Sequence, residues 1–556
     1  MDTYQYLELI QNLIKGKGFI PKIAYQKEPF QESHTDNPLP RKNCLFHICK
    51  YRSLWELFYH LQNIEGGNLH SLMVVEKGNV IFERFVSPYK KTYRHASYSL
   101  CKSIVSMGIG LAYDDGLIQL DSKVSDIVDL PKFTHKSLKA LTIRHLLTMQ
   151  AGVEFHEFSQ AYSDNYFRDY FKSRQRFQPG EDFYYNSMNS YILCAILVEL
   201  YQMPVLQLLN QRIFSKLDIY DITWDVCPLG IEKGGFGMKL SLEDMAKLGL
   251  LWLQKGAWLD KKTGEWMQIV SKEYVNLATQ IHVKRMPVGY DYGLHMWVLD
   301  DAILFNGMLG QNIFIYPKKE LVIVTQGGME CFVPTRKLVQ HVDNYANCVN
   351  ELPIKILCKR ILEMHKNTYS NQYKKLNAVM DRVVEKKYLL KEPILGVIPF
   401  AMQLVYQIQQ KNLTGISFDS ILEEGIPIHF YSEDTCITIA FGLKEAKEQF
   451  VTVDNQQYPV AAQVLYAQNE DYVDVLKLKI NYLEEANTRI YSVYLHEDRI
   501  LVKADELPSL PYLYQTVFVD KKLIPVNILE RCHDNKYFAN WLQNFLKPST
   551  YGFEIS

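Results

Sequence analysis

Ser99-Leu100-Cys101-Lys102 sets a hydroxyl and an amine three residues apart, and on a helix that spacing puts both side chains on one face. An unactivated serine is a poor nucleophile, so acyl transfer at serine needs a base within hydrogen-bond reach. A lysine in an apolar setting can serve, because burial disfavours its ammonium form. A helix N-terminus adds backbone N–H groups and a positive dipole end near the oxygen that becomes an oxyanion. Nucleophilic attack on an ester or amide is therefore the chemistry this pair could do. The spacing alone is weak, since Ser87-Pro88-Tyr89-Lys90 shares it. Pro88 breaks regular pairing there, and the segment follows a strand pattern, so it reads as a turn.

Several elements must hold such a pair. SLCKSIVSMGIGLAYDDG (99–116) reads as a buried helix, apolar on most faces and closed by Gly116. Ahead of it, HSLMVVEKGNVIFERFV (70–86) reads as two strands around a Lys77-Gly78-Asn79 turn. TIRHLLTMQAG (142–152) predicts a second helix with a glycine stop, and NIFIYPKKELVIVTQGG (312–328) two strands joined at Pro317–Lys319. Strands at both ends with helices between them predict an α+β domain with one antiparallel sheet. From 351 to 390 the pattern is helical and charged, a connector. Beyond it short alternating runs recur, as in LKLKI, where Leu476, Leu478 and Ile480 face one way and Lys477 and Lys479 the other. The expected layout is an N-terminal helix and extension (1–44), a main domain (45–350), the connector, and a β-rich accessory domain (391–556).

Composition narrows the function classes. A chain of 556 residues exceeds one ordinary core, and roughly two to four domains are expected. With 47% hydrophobic and 22% charged residues it is globular, and a net charge of −1 offers no field for nucleic acid or an anionic membrane surface. The start, MDTYQYLELIQNLIKGKG, has an acidic second residue and no apolar run of signal length, so it reads as a short amphipathic helix. No stretch approaches the roughly 20 apolar residues of a membrane span. The ten cysteines form no C-x-x-C pair and no metal-ligand spacing. Reduced, buried thiols in a cytoplasmic protein are expected, with no metal and no cofactor. There is no G-x-S-x-G elbow and no H-E-x-x-H, while Gly108-Ile109-Gly110 lacks the third glycine of a dinucleotide site. His95 and His145 read as structural.

With these residues in view, RHASYSLCKSIVSMGIGLAYDDGLIQLDSKVSDI resembles the nucleophile region of class C β-lactamase-like serine hydrolases, the superfamily that includes penicillin-binding proteins and related esterases. LTIRHLLTMQAGV (141–153), PGEDFYYNSMNSYIL (179–193), GGFGMKLSLEDMAKLGLLWLQKGAW (234–258) and FNGMLGQNIFIYPKKELVIV (305–324) follow in the family's order, so the resemblance covers roughly residues 45 to 345. It implies an antiparallel sheet flanked by helices, with an all-helical insertion across the cleft. It also implies a second-motif tyrosine. Tyr184-Tyr185-Asn186 spells the motif literally, but counting from Pro179-Gly180 favours Tyr185, which leaves Ser187 where the family commonly has Asn. A phenol beside the lysine and Ser99 can relay the proton as general base and return it to the leaving group. The third motif departs further: Phe305-Asn306-Gly307 stands where relatives carry Lys-Thr-Gly or His-x-Gly. By the resemblance, Gly307 leaves room for substrate along the strand, Met308 N–H pairs with Ser99 N–H as the oxyanion hole, and Ser187, Asn306 and Phe305 border the substrate. A phenylalanine supplies neither positive potential nor a partner for a substrate carboxylate.

The expected function is an acyl-enzyme serine hydrolase acting on a small neutral ester or amide, esters favoured, with Ser99, Lys102 and Tyr185 catalytic. The expected partner is a small acyl substrate, with no nucleic acid or membrane and a homodimer allowed. The alternative is a penicillin-binding-protein-like module that binds or senses without turnover, which the altered second and third motifs keep open. The intact Ser99–Lys102 pair favours the enzyme.

Overall fold

The computed structural model describes residues 27–42, 48–155, 160, 163–260, 263–284, 289–331, 333–349, 352–366, 371–406, 408–422, 425–513, 515 and 548–555. The expected N-terminal helix lies outside them. The chain divides into two compact units, one built from residues 31–327 and 331–351, the other mainly from residues 352 onward.

In the first unit, successive strand residues are apolar in both directions, so the sheet must be covered on both faces. β1 (Leu69–Glu76) and β2 (Asn79–Phe85) turn through Lys77 and Gly78, both at positive φ (49° and 74°). β3 (Asp291–Tyr292), β4 (Trp297–Val298), β5 (Ile303–Gly307), β6 (Gln311–Tyr316) and β7 (Leu321–Gly327) complete a seven-stranded sheet in the order β2-β1-β7-β6-β5-β4-β3. All its pairings are antiparallel. Five helices matter for the site: α1 (Ile48–Asn63), α2 (Cys101–Asp114), α3 (Met188–Tyr201), α4 (Leu242–Leu253) and α5 (Arg336–Ala346).

The alternation of strand side chains assigns the layers. Met73, Val75, Ile313, Ile315, Val322 and Val324 join the main core with the apolar residues of α2, α3 and α4. On the other face Trp55 and Phe58 of α1 meet Phe82 edge-on or tilted, at 5.6 and 6.3 Å between ring centroids, and α5 lies beside α1. Residues 86–290, between β2 and β3, carry most of the helices, which gives the α+β layering expected from the sequence.

Two local expectations need correction. The helix expected over 142–152 spans only Ile143–Leu147. Thr148 Oγ1 bonds back to Arg144 O at 2.8 Å, and Met149 turns into the left-handed region at φ 59°, which ends the helix before Gly152. Ser99 also precedes the α-helix: it sits in a 3-10 turn, Tyr98–Leu100, and α2 starts at Cys101. The cysteines depart from expectation as well. Cys101, Cys194, Cys227 and Cys331 are buried free thiols, but Cys348, Cys358 and Cys436 are exposed.

In the second unit Leu376, Val379, Met380 and Val383 belong to the β-rich core, so the connector's end is part of that unit. Its ten strands are β8 (Lys386–Ile394), β9 (Leu413–Phe418), β10 (Ile426–Tyr431), β11 (Cys436–Phe441), β12 (Lys447–Val453), β13 (Gln456–Gln468), β14 (Asp474–Tyr482), β15 (Thr488–Leu495), β16 (Arg499–Leu507) and β17 (Ser549–Ile555). Their order is β11-β10-β9-β8-β17-β16-β15-β14-β13-β12. The two ends meet. Gly442 N–H donates to Ala462 O and Val464 N–H to Gly442 O, at 3.0 and 3.1 Å. The Gln449 side chain of β12 then accepts from Ala440 N–H at 2.9 Å and donates to Ala440 O at 2.6 Å. The sheet is thus a near-closed barrel. Its interior takes Leu476, Leu478 and Ile480, the inward set of the LKLKI run, while Lys477 is exposed. One end holds a fully buried Arg489–Glu506 ion pair at 3.0 Å, whose carboxylate also accepts from Phe400 N–H at 2.7 Å.

Candidate active site

The nucleophile turn is fixed before it begins. His95–Ala96 pairs with Met238–Leu240, and Ser97 donates to Met238 O from both its N–H and its hydroxyl, at 2.9 and 2.8 Å. Tyr98 then takes φ 47°, an uncommon conformation for a residue with a Cβ and one that persists only where its surroundings impose it. The turn leaves Ser99 half-buried while Tyr98 and Leu100 are buried.

Lys102, in the first turn of α2, is 1% exposed. Its Nζ lies 2.7 Å from Ser99 Oγ and 2.7 Å from Gly235 O. Gly235 is where the chain comes too close for a side chain: a Cβ there would stand 2.5 Å from Ser187 O. Cys101 Sγ donates to Gly234 O at 3.0 Å, so residues 234–235 lie against the start of α2. Lys233 is also buried, 4.0 Å from the Asp225 carboxylate. Burial lowers the pKa of its ammonium, and Asp225 opposes that shift.

The Tyr185 ring centroid is 5.1 Å from Lys102 Nζ. Tyr184 goes elsewhere: its N–H donates to Met149 O at 2.8 Å and its ring lies under the Arg176 guanidinium. The geometry therefore brings Tyr185, and not Tyr184, to the lysine. Asn186 is tied to the backbone, donating to Val153 O and accepting from Met188 N–H, at 2.7 and 2.8 Å. Ser187 opens α3 and is buried beside Gly235.

At the third motif the structure separates the residues that the sequence grouped. Gly307 comes to the nucleophile turn, since a Cβ on it would fall 2.0 Å from Ser97 O. Met308 is half-buried in a turn, Met308–Gly310, that packs against Tyr98–Leu100. Phe305 does not border the substrate. It is 0% exposed, within the core, with its ring edge-on to Trp252 at 5.9 Å. Asn306 points to the opposite face of the sheet, as strand alternation requires, and donates to Gly307 O and Asn312 Oδ1 at 3.0 and 2.9 Å. Both were expected at the substrate, and strand geometry together with packing removes their side chains from it.

Two further residues belong to the site's surroundings, and sequence reasoning missed them. His295, buried and at φ 62°, donates to Leu147 O from its backbone N–H and from Nδ1, each at 2.9 Å. Its Nε2 then accepts from Ser190 Oγ at 2.8 Å, and its carbonyl accepts from Ser103 of α2 at 2.7 Å. Burial first, and the Lys102 charge second, push its imidazole down to about 3. The ring is thus neutral and clasps α2, α3 and the end of Ile143–Leu147 together. Trp297 carries the ring that lies parallel to Tyr185, 6.0 Å between centroids and 14° between planes. GYDYGLHMWV holds no motif that marks either residue, because their partners lie about 100 to 150 residues away in sequence. His145 closes the capping box of Ile143–Leu147 with Thr142, and His95 meets His70 at 2.9 Å.

Among the described residues no group of three or more His, Cys, Asp or Glu side chains could hold a metal ion. No single described helix is long and apolar enough to cross a membrane; the pair Ser187–Tyr201 and Val205–Arg212 passes only jointly, bent by 70°.

Residues 62–326 match the beta-lactamase family model. They form a β-lactamase-like domain. Solved structures similar to the chain include a penicillin-binding protein homologue from Caulobacter crescentus, at 15% identity and a TM-score of 0.44, covering 54% of this chain and 98% of that one. A family VIII carboxylesterase matches at 14% identity and a TM-score of 0.44, again over 54% and 98% of the two chains. The octameric penicillin-binding protein homologue from Pyrococcus abyssi matches at 14% identity and a TM-score of 0.39, over 81% of this chain and 97% of its own. No curated protein matches the chain.

Proposed function

We propose that this domain is a serine hydrolase that acts through an acyl-enzyme on an ester or amide bond of a small neutral substrate, with esters preferred. The observation that carries the reading is the buried Lys102 Nζ, 2.7 Å from Ser99 Oγ and held from behind by Gly235 O at the same distance. Ser99 Oγ attacks the acyl carbon, and its proton passes to the base formed by Lys102 and Tyr185. The N–H groups of Ser99 and Met308 receive the oxyanion. Collapse breaks the bond to the leaving alcohol or amine, which takes the proton back, and water repeats the sequence to free the acid. Preference for a neutral substrate draws support from the third motif, in which Phe305 stands in place of the family's cation and neither Asn306 nor Gly307 supplies one. The same substitution favours a second reading, a fold kept for binding without turnover.

Intact-protein mass after treatment with a fluorophosphonate tests the first reading against the second. One adduct on the wild type, absent from Ser99→Ala, supports the hydrolase. A folded wild-type protein that takes no adduct leaves the binding module as the better account.

A further inference from the structure

Tyr185 has a proton to move, yet it lies on neither a helix nor a strand. The neighbouring ties, Tyr184 N–H to Met149 O and Asn186 Nδ2 to Val153 O, fix its backbone and leave the direction of its half-exposed ring to its surroundings. Those surroundings are aromatic. Trp297 lies parallel to the phenol ring, and Tyr292 meets it edge-on at 6.4 Å and 83°. Tyr292 and Trp297 pack edge-to-face at 4.8 Å, and they are 1% and 5% exposed. Trp297 is itself held in register, paired with Leu304 of β5, three residues before Gly307.

We propose that Trp297 is a positioning residue that aims the Tyr185 phenol at Lys102 and Ser99, referring its direction to the strand that also brings Gly307 to the nucleophile turn; this rests on the hydrolase reading above. The physical reason is that proton transfer demands a heavy-atom approach of about 3 Å, while a loop tyrosine without a backing ring can turn about its side-chain bonds. Parallel and edge-to-face rings restrict that freedom. A displacement of about 1 Å at such a group lowers rate by about 100-fold.

The test is a double-mutant cycle on the full chain, read as kcat and KM for a chromogenic short-chain acyl ester across pH. Trp297→Leu is expected to lower kcat about 10- to 100-fold with KM within about twofold, and Trp297→Phe to recover most of the loss. In a Tyr185→Phe background Trp297→Leu should cost almost nothing further, because its effect runs through the phenol. Equal cost in both backgrounds, or a rise in KM with kcat intact, overturns the positioning role. Unchanged turnover in Tyr185→Phe itself overturns the hydrolase assignment of Tyr185, and the proposal with it. If Trp297→Leu does not fold, Trp297→Met completes the same cycle.

Discussion

Replacing His295 with asparagine should flatten the acid side of the stability curve. In the unfolded chain an imidazole titrates near its ordinary value of about 6.5, whereas in the folded protein His295 is pushed down to about 3. Between those values the unfolded state binds the extra proton and the native state does not. Stability therefore rises with pH across that window, is fully present above the unfolded value, and is lost as pH falls toward the folded one. At about 1.4 kcal/mol per pH unit, moving from pH 8 to pH 5 removes about 2 kcal/mol through this group alone. Asparagine is the apt replacement because it tolerates the left-handed backbone at φ 62° and keeps a donor for Leu147 O. Urea denaturation followed by tryptophan fluorescence is the assay, since all but Trp541 of the seven tryptophans lie in the first unit. The informative quantity is the wild-type loss between pH 8 and pH 5 minus the loss in the variant, expected to be about 2 kcal/mol. Other titrating groups cancel in that difference. A difference near zero would refute the claim that the native fold excludes the charged ring.

Asp244 has the opposite sign. It is buried at the start of α4, and burial pushes its carboxyl up to about 6, so stability falls as pH rises from about 4 toward that value, by an amount on the order of 3 kcal/mol. Asp244→Asn should remove this fall, measurable by the same denaturation extended from pH 7 down to about pH 4. Gly307→Ala should destabilise the first unit and abolish fluorophosphonate labelling, because the new methyl would stand 2.0 Å from a backbone carbonyl. Wild-type labelling in that variant would contradict the contact. Phe305→Lys, which restores a cation in sequence, should not create a carboxylate site. It should cost on the order of 3 kcal/mol or more by putting an ammonium into the core, and a variant as stable as wild type would refute that burial.

Much of the site was legible because its parts are local. Ser99 and Lys102 lie within one turn, and the patterns of 70–86 and 312–328 mark β1, β2, β6 and β7, the four strands on one side of β5. The choice of Tyr185 over Tyr184 rested on counting from Pro179-Gly180, and in the structure the Arg176 cation lies over the unused ring. What stayed hidden depends on three-dimensional direction. Phe305 and Asn306 looked like substrate neighbours because they adjoin Gly307 in sequence, but one side chain enters the core and the next faces the far side of the sheet. His295 and Trp297 were invisible because neither residue type nor spacing announces a contact with Leu147, Ser190 or Tyr185. The apolar run of the short helix Ile143–Leu147 continues in sequence past Thr148, but its hydroxyl and the left-handed Met149 end the helix there.

Gln449 answers a problem that every open sheet has. A strand with unpaired peptide groups is a template on which another chain can add, and barrels escape this only if the last two strands meet. Here β11 and β12 meet partly through a side-chain amide, which offers Ala440 the donor and acceptor that a neighbouring backbone would have supplied. The seam is therefore held by one replaceable side chain and a short backbone bridge at Gly442 rather than by a full ladder. Gln449→Leu would leave both peptide groups of Ala440 seeking partners, and the cheapest source is a strand from another molecule. Self-association that grows with protein concentration, and not loss of the fold, is how that seam would fail.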